Sequence, residues 1–435
     1  MSIEDAAAEL LFDLVLNPYV ERCLDSQYGG FLVDFDALGQ PYGAHHKTLE
    51  HAARTTLAFG QLCRARPTAG YERYFESGLR FLRECMWDSK HGGFFAIVER
   101  DGTPLWNGLK HPHGVTYALR SIALAGSLLG SREADRWLSE GLDWMNTVSW
   151  NPVHGGYSGT YRRDNTPYAP DERVPTDFGD DPLGLPVGML EMNTQGDAIH
   201  MLHDALVFGD VSAVRATLLT LVDRVAASVQ PNGALPFLLL PNWTPTPTPG
   251  RTGHQFQLVR RLVDAGRALE RAEETWELAL RLTLHGLRRC RHPVGGFPLE
   301  MSSVGHMWST LGSSADARQW WVQLEALDAF SLMASHPMTP DDLAAELLGA
   351  RDAQWSYFQS NFVDREYGGT FELAMPGDRS SVSEGRARTS VPKRFARRST
   401  STPGQRQTAK LHGWKDISHE VAVLLDLAQL SPVRA

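Results

Sequence analysis

The tetrapeptide Tyr28-Gly29-Gly30-Phe31 decides the fold, because it returns along the chain in varied form. His91-Gly92-Gly93-Phe94, His154-Gly155-Gly156-Tyr157, Val294-Gly295-Gly296-Phe297 and Tyr367-Gly368-Gly369-Thr370 keep the glycine pair, and Asn232-Gly233-Ala234 keeps one glycine. Successive members lie 63, 63, 78, 62 and 73 residues apart. Self-similarity at a near-constant period marks an array of one supersecondary unit.

Between the glycines the pattern is helical. Apolar residues recur at helical spacing over 4–23, 47–66, 70–86, 115–129, 132–145, 196–207, 211–229, 255–269, 272–290, 319–334, 339–362 and 417–430,. Ser131-Arg132-Glu133 and Thr339-Pro340-Asp341 carry helix-start signals,. Aromatic and β-branched residues beside the glycines allow short β-hairpins in the loops. Twelve helices in six pairs, without a strand-rich domain, predict an all-α chain folded as one (α/α)6 barrel over 1–435. An open α-solenoid or two helical domains are the alternatives. The near-even repeat and the lack of an internal linker favour the closed toroid.

The stretch 376–410 breaks the pattern. It is rich in Ser, Thr, Pro, Gly and Arg and lacks apolar periodicity. It reads as a basic, flexible insertion, with a lid over an anionic ligand as the functional alternative. The run Pro245-Thr246-Pro247-Thr248-Pro249 is a stiff lead into His254,.

Composition narrows the partners. A net charge of -9 argues against nucleic acid, whose phosphates call for a basic surface,. No apolar run approaches the roughly 18 residues that span a bilayer. Cys23, Cys63, Cys85 and Cys290 are widely spaced, which favours a reducing compartment and no structural zinc,. The acidic Met1-Ser2-Ile3-Glu4-Asp5 start has no signal-peptide character, so a cytoplasmic protein is expected,. Sixteen His and twelve Trp suit a polar pocket with ring-stacking walls, although scattered core and surface positions would use them too.

In a double-layered toroid one helix of each pair lines the inside. The even-numbered predicted helices carry the polar groups: His51 with Arg54, Lys110-His111-Pro112-His113, His200 with His203, His254 with Gln257, Trp320-Trp321 with Glu325, and Trp414-Lys415 leading to His419. Residues three or four apart share a helix face. Any one of these could be a hydrogen-bonded core residue; recurrence on several inner helices points to a central site. His200 and His203 have a zinc-compatible spacing, but no Cys or carboxylate follows at a matching interval, so no metal is expected. Glycoside hydrolysis needs two flanking carboxylates, and the inner helices offer only Glu325 and Asp204. A histidine-rich pocket suits proton transfer near neutral pH.

At these residues the chain resembles the N-acylglucosamine 2-epimerase superfamily, which includes cellobiose 2-epimerases and mannose isomerases. The resemblance runs almost end to end. It rests on the glycine repeat, Gly253-His254-Gln255-Phe256-Gln257, Trp320-Trp321-Val322-Gln323-Leu324-Glu325-Ala326-Leu327 and Trp414-Lys415-Asp416-Ile417-Ser418-His419. It implies an (α/α)6 barrel, no cofactor, a metal-independent reaction on a free sugar, and a family in which homodimers are common. Through it the general acid and base at C2 fall on His254 and His419, with Arg54 and Glu325 beside them. Substrate contacts fall on His200, Trp321 and Trp414.

The chain departs from that family's pattern in five places. Gln257 stands where Gly-His-x-x-Glu expects the glutamate, and Arg260 where an aromatic is expected. His203 replaces the Glu of the family's His-Leu-Leu-Glu-Ala, and Gly196 an asparagine. His113 takes the place of a tyrosine. Gln257, His203 and His113 are accordingly expected at the substrate. The expectation is a sugar 2-epimerase or aldose–ketose isomerase working through an enediolate. The alternatives are a sugar-binding or regulatory relative without turnover, and a hydrolase or lyase on the same toroid.

Overall fold

A computed structural model describes residues 2–177, 179–293, 295–301, 318–374 and 409–431. Of the basic stretch 376–410, positions 376–408 lie outside the described residues. Ala409 and Lys410 fall inside and are both buried.

The repeated glycines are turns of one construction. The Asp25 carboxylate accepts the amides of Gln27 and Tyr28, and its carbonyl accepts the Gly29 amide. Gly29 and Gly30 both have positive φ, and a Cβ on Gly30 would lie 2.7 Å from the Phe81 ring, so only glycine fits,. Lys47 is fully buried and closes the turn, donating to Asp25 and to the Gly29 carbonyl at 3.1 and 2.7 Å. Asp88 with Lys110, and Asp364 with Lys410, repeat the arrangement. Asn151 keeps the turn at the third site.

Each turn leads to an inner helix. Merging contiguous helical segments, the twelve among the described residues are α1 (3–20), α2 (Leu49–Ala65), α3 (72–86), α4 (Pro112–Leu129), α5 (132–149), α6 (Met192–Val207), α7 (Arg215–Ser228), α8 (Thr252–Leu269), α9 (272–290), α10 (Trp320–Ser335), α11 (Asp341–Asn361) and α12 (Ser418–Leu427). The six even-numbered helices pack each on the next, and α12 packs on α2, which closes the ring. The odd-numbered helices cover them from outside, with α1 returning to α12. This is the expected (α/α)6 toroid. No helix among the described residues is long and apolar enough to cross a membrane.

Two-residue antiparallel ladders frame one end of the ring. β1 (Lys47–Thr48) pairs with β2 (Ile97–Val98), and β3 (Leu190–Glu191) with β4 (Leu238–Leu239). β5 (Gly250–Arg251) pairs with β6 (Glu300–Met301), and β7 (Arg318–Gln319) with β8 (Leu373–Ala374). The first strand of each pair runs straight into an inner helix, so these pairings fix where the first turns of the inner helices point.

Some helices begin earlier than apolar periodicity indicates. α6 starts at Met192 rather than 196, because Gln195 faces a loop: its side-chain amide both accepts from and donates to the Tyr157 backbone. Gln323 does the same for Phe297, and Gln255 accepts the Leu235 amide. α4 starts at Pro112, where a missing N–H costs nothing at the first turn,.

Candidate active site

The first turns of α8, α10 and α12 bring three rings into one row. The Trp321 ring lies between the imidazoles of His254 and His419, at centroid distances of 5.1 and 5.6 Å. Its indole nitrogen donates to the Gln319 side chain at 2.6 Å, which fixes the ring. On its far side His254 stacks on Phe237 at 5.6 Å. His254 Nδ1 is buried without a hydrogen-bond partner among the described residues. Burial first, and then the Arg251 cation, push this imidazole well below its ordinary range, so it is held neutral,.

His419 is surrounded differently. Its Nδ1 lies 2.7 Å from Glu325 Oε1, and the Gln257 side chain reaches the same oxygen at 3.4 Å. A carboxylate there orients the ring and stabilises the imidazolium formed when it takes a proton. Gln257 and Glu325 sit about one turn below His254 and Trp321 on their own helices, which places them beneath the ring row.

The cavity floor is ionic. Arg260 binds Asp328 and reaches Asp426 at 2.7 Å. Tyr117, Arg120, His200, Arg261 and Glu325 line the same cavity with His419. Arg54 lies over the Tyr117 ring at 4.4 Å, and the Tyr117 hydroxyl donates to Asp197 at 2.7 Å. Arg261 is the second partner of Asp197. Despite the desolvation of burial, Tyr117, Asp416, Asp197 and Glu50 hold the Arg54 guanidinium firmly charged.

Two of the expected substrate contacts sit behind this surface. His113 is buried between Glu50 and Asp197, each 3.2 Å from a ring nitrogen. Burial opposes its charge, but the two carboxylates prevail and raise it to about 9. His203 is buried against Asp204 at 3.0 Å. Trp414 is half-buried in the turn before α12, its amide donating to His412 Nδ1 at 3.2 Å. The structure thus gathers His254, His419, Glu325, Gln257 and Trp321 in one cluster. His200 lines the cavity and Arg54 packs on Tyr117, which also lines it, while His113 lies between two carboxylates and His203 against Asp204.

Among the described residues, two buried groups have metal-ligand residue types. In His200, His203 and Asp204 the place of a cation is taken by Arg120, which binds Asp204 at 2.7 Å and meets His200 Nε2 at 3.1 Å. In the second, His111 Nε2 lies 3.6 Å from both Asp181 and Glu191. Its Nδ1 accepts the His113 amide, which keeps the proton on Nε2 and turns a donor, not a lone pair, toward the carboxylates,. Burial first, and then the charge of Asp181, push the Glu191 carboxyl upward, which suits a shared proton better than an ion.

The family model described as N-acylglucosamine 2-epimerase (GlcNAc 2-epimerase) matches residues 29–171. The chain also superposes along almost its whole length on solved epimerases. Against cellobiose 2-epimerase from Spirochaeta thermophila DSM 6192 the TM-score is 0.79 at 23% identity, covering 98% of this chain and 96% of that one. Against cellobiose 2-epimerase from Bacillus thermoamylovorans B4167 it is 0.80 at 16% identity, covering 98% of each. A D-mannose isomerase gives 0.76 at 17% identity, covering 98% and 97%. The likeness is to the N-acylglucosamine 2-epimerase superfamily.

Within the superfamily pattern, the Gln257 departure now has a location. Its amide is a donor to Glu325, where a glutamate would set two carboxylates against each other. Arg260, in the aromatic position, is neutralised by Asp328 and Asp426. Sequence reading missed Tyr117, Asp197, Arg261 and Phe237. Asp197 and Arg261 carried a faint signal, as charged residues on inner helices three before His200 and seven after His254.

Proposed function

We propose that the protein is a sugar 2-epimerase or aldose–ketose isomerase in which His254 and His419 move the proton at C2 of a ring-opened sugar. The observation that carries this reading is the pair of imidazoles flanking Trp321, one neutral and unpartnered at Nδ1, the other backed by Glu325.

The steps balance without a cofactor. His254 takes the C2 proton; the C–H electron pair becomes the C1=C2 bond and the charge moves to O1. The Arg54 cation stabilises that enediolate. His419, as imidazolium, returns a proton to the opposite face of C2 and regenerates the aldehyde as the epimer. Transfer of the O2 proton to O1, with return of a proton to C1 and formation of the C2=O bond, instead gives the ketose. Trp321 supplies a face for the sugar between the two bases.

Proton NMR in heavy water tests this with glucose, mannose, N-acetylglucosamine, N-acetylmannosamine and cellobiose. Loss of a C2–H signal with appearance of an epimer or ketose is the expected result. The Gln257 substitution favours one second reading, a relative that binds sugar without turnover. Saturable sugar binding with no C2 exchange in the whole panel would establish that instead.

A further inference from the structure

The ring row does not end at the two histidines. His254 stacks on Phe237 at 5.6 Å, and the Arg251 guanidinium also lies over the Phe237 ring, 4.7 Å from its centre. Arg251 is the last residue of β5, three before His254, so the strand carries the cation and the helix carries the base. Its cross-strand partner on β6 is Glu300, whose carboxylate lies 3.3 Å from the guanidinium. Both side chains are largely buried, at 15% and 5% exposure, so their charges are weakly screened,.

The other end of the row has a similar element with a different outcome. Lys415 lies 5.2 Å over the Trp320 ring, and the Trp320 ring meets His419 edge-on at 6.1 Å. There, however, Glu325 touches His419 and offsets the cation. No carboxylate makes an ion pair with His254 among the described residues. The charged groups that act on it most are Arg251 from its own strand, Asp197 from α6, Arg261 from α8 and His113 from α4. Asp197 is already held by Arg261 and His113. Arg251, although shared with Glu300, is therefore the largest charge influence on His254 after burial itself.

We propose that Arg251 is a positioning residue for proton transfer: it holds Phe237, which stacks on the His254 imidazole, and keeps positive charge near that ring, so that His254 meets the sugar as the neutral base and His419 as the acid. A guanidinium on an aromatic face is a favourable contact in a desolvated site, so the clamp and the charge come from one group. Glu300 moderates the effect by sharing the guanidinium. The proposal rests on His254 being the base in the reaction proposed above.

The test reads the imidazole directly, so that it stands apart from that reaction. Nitrogen-15 histidine spectra are recorded through a pH titration, with His254 assigned by its loss in His254→Gln. In Arg251→Leu the His254 ring should titrate at higher pH than in the wild type. In Glu300→Gln it should titrate at lower pH, and Arg251→Lys should restore the wild-type curve. On turnover, Arg251→Leu should lower kcat/KM about tenfold near pH 6, the effect of one pH unit, while kcat above pH 8 stays within about threefold. Unmoved His254 titration in both Arg251→Leu and Glu300→Gln overturns the proposal, whatever the activity. Absence of C2 exchange in the wild type, with the titration shifts present, instead removes the reaction and leaves the electrostatic role intact.

Discussion

Glu325 holds His419 through a 2.7 Å contact between its carboxylate and the ring Nδ1. That contact fixes which ring nitrogen faces the cavity and supplies the negative charge that an imidazolium needs. Glu325→Gln keeps the shape and removes the charge. We expect kcat to fall about 10²-fold, within the span of one acid–base group, with KM changed little. An unchanged kcat would leave Glu325 as a structural residue only.

His254→Ala and His419→Ala should each abolish turnover with the helical circular dichroism retained. Both residues are only partly buried, so neither truncation opens a core. C2 deuterium exchange separates the two: a variant that loses only the returning group can still exchange slowly through the other. Near-wild-type rates in both variants would end the assignment.

How far these residues were legible depends on how local their signals are. His254 and His419 lie within short motifs at helix starts, and Glu325 lies five residues after Trp320, so one stretch of chain displays each. The toroid was legible for the same reason, because the glycine turns recur at a fixed period. What the sequence concealed is made between helices. Tyr117 of α4, Asp197 of α6 and Arg261 of α8 meet only because neighbouring inner helices pack together. Lys47 and Lys110 look like surface charges in sequence, yet they are buried clasps of glycine turns. His113 has the same residue type as His254. Its two carboxylates, from α2 and α6, turn it into a structural cation, and neither is near it in sequence.

That cation makes stability depend on pH. The folded-state value of His113 is raised to about 9, above its unfolded value near 6.5,. A raised value means the stabilisation is complete below about pH 6.5 and is lost as pH rises through 9. The contribution at stake is of order 2–3 kcal/mol. Urea unfolding at pH 6.5 and pH 10 should show that fall, and His113→Gln should flatten it. Equal slopes in the two proteins would mean that the ion pairs contribute nothing net.

Gln257→Glu tests the main departure from the family pattern. The side chain already reaches Glu325 at 3.4 Å as a neutral donor. Two carboxyl groups at that distance cannot both ionise, so one proton is shared and one group titrates upward. We expect kcat/KM of this variant to gain an extra ionisation on its acid side, absent from the wild type. A profile superimposable on the wild type would show that residue 257 is uncoupled from the His419–Glu325 pair.

Gly253 is the least conspicuous member of the site, and its role is steric. A Cβ added there would stand 2.2 and 2.4 Å from two carbons of the Trp321 ring. The ring cannot yield easily, because its indole nitrogen is tied to Gln319. Gly253→Ala must therefore shift the surface on which both imidazoles lean. Alanine favours the helix by about 1 kcal/mol over glycine, which works against unfolding. A displacement of roughly 1 Å at the reacting groups costs up to about 10²-fold in rate. The expected result is a folded protein with kcat reduced ten- to a hundredfold. Gly349→Ala on α11, where nothing lies within 4 Å of the added carbon, serves as the control and should retain full activity. If Gly253→Ala retains it as well, the position of Trp321 does not govern proton transfer, and the ring row only packs the mouth of the toroid.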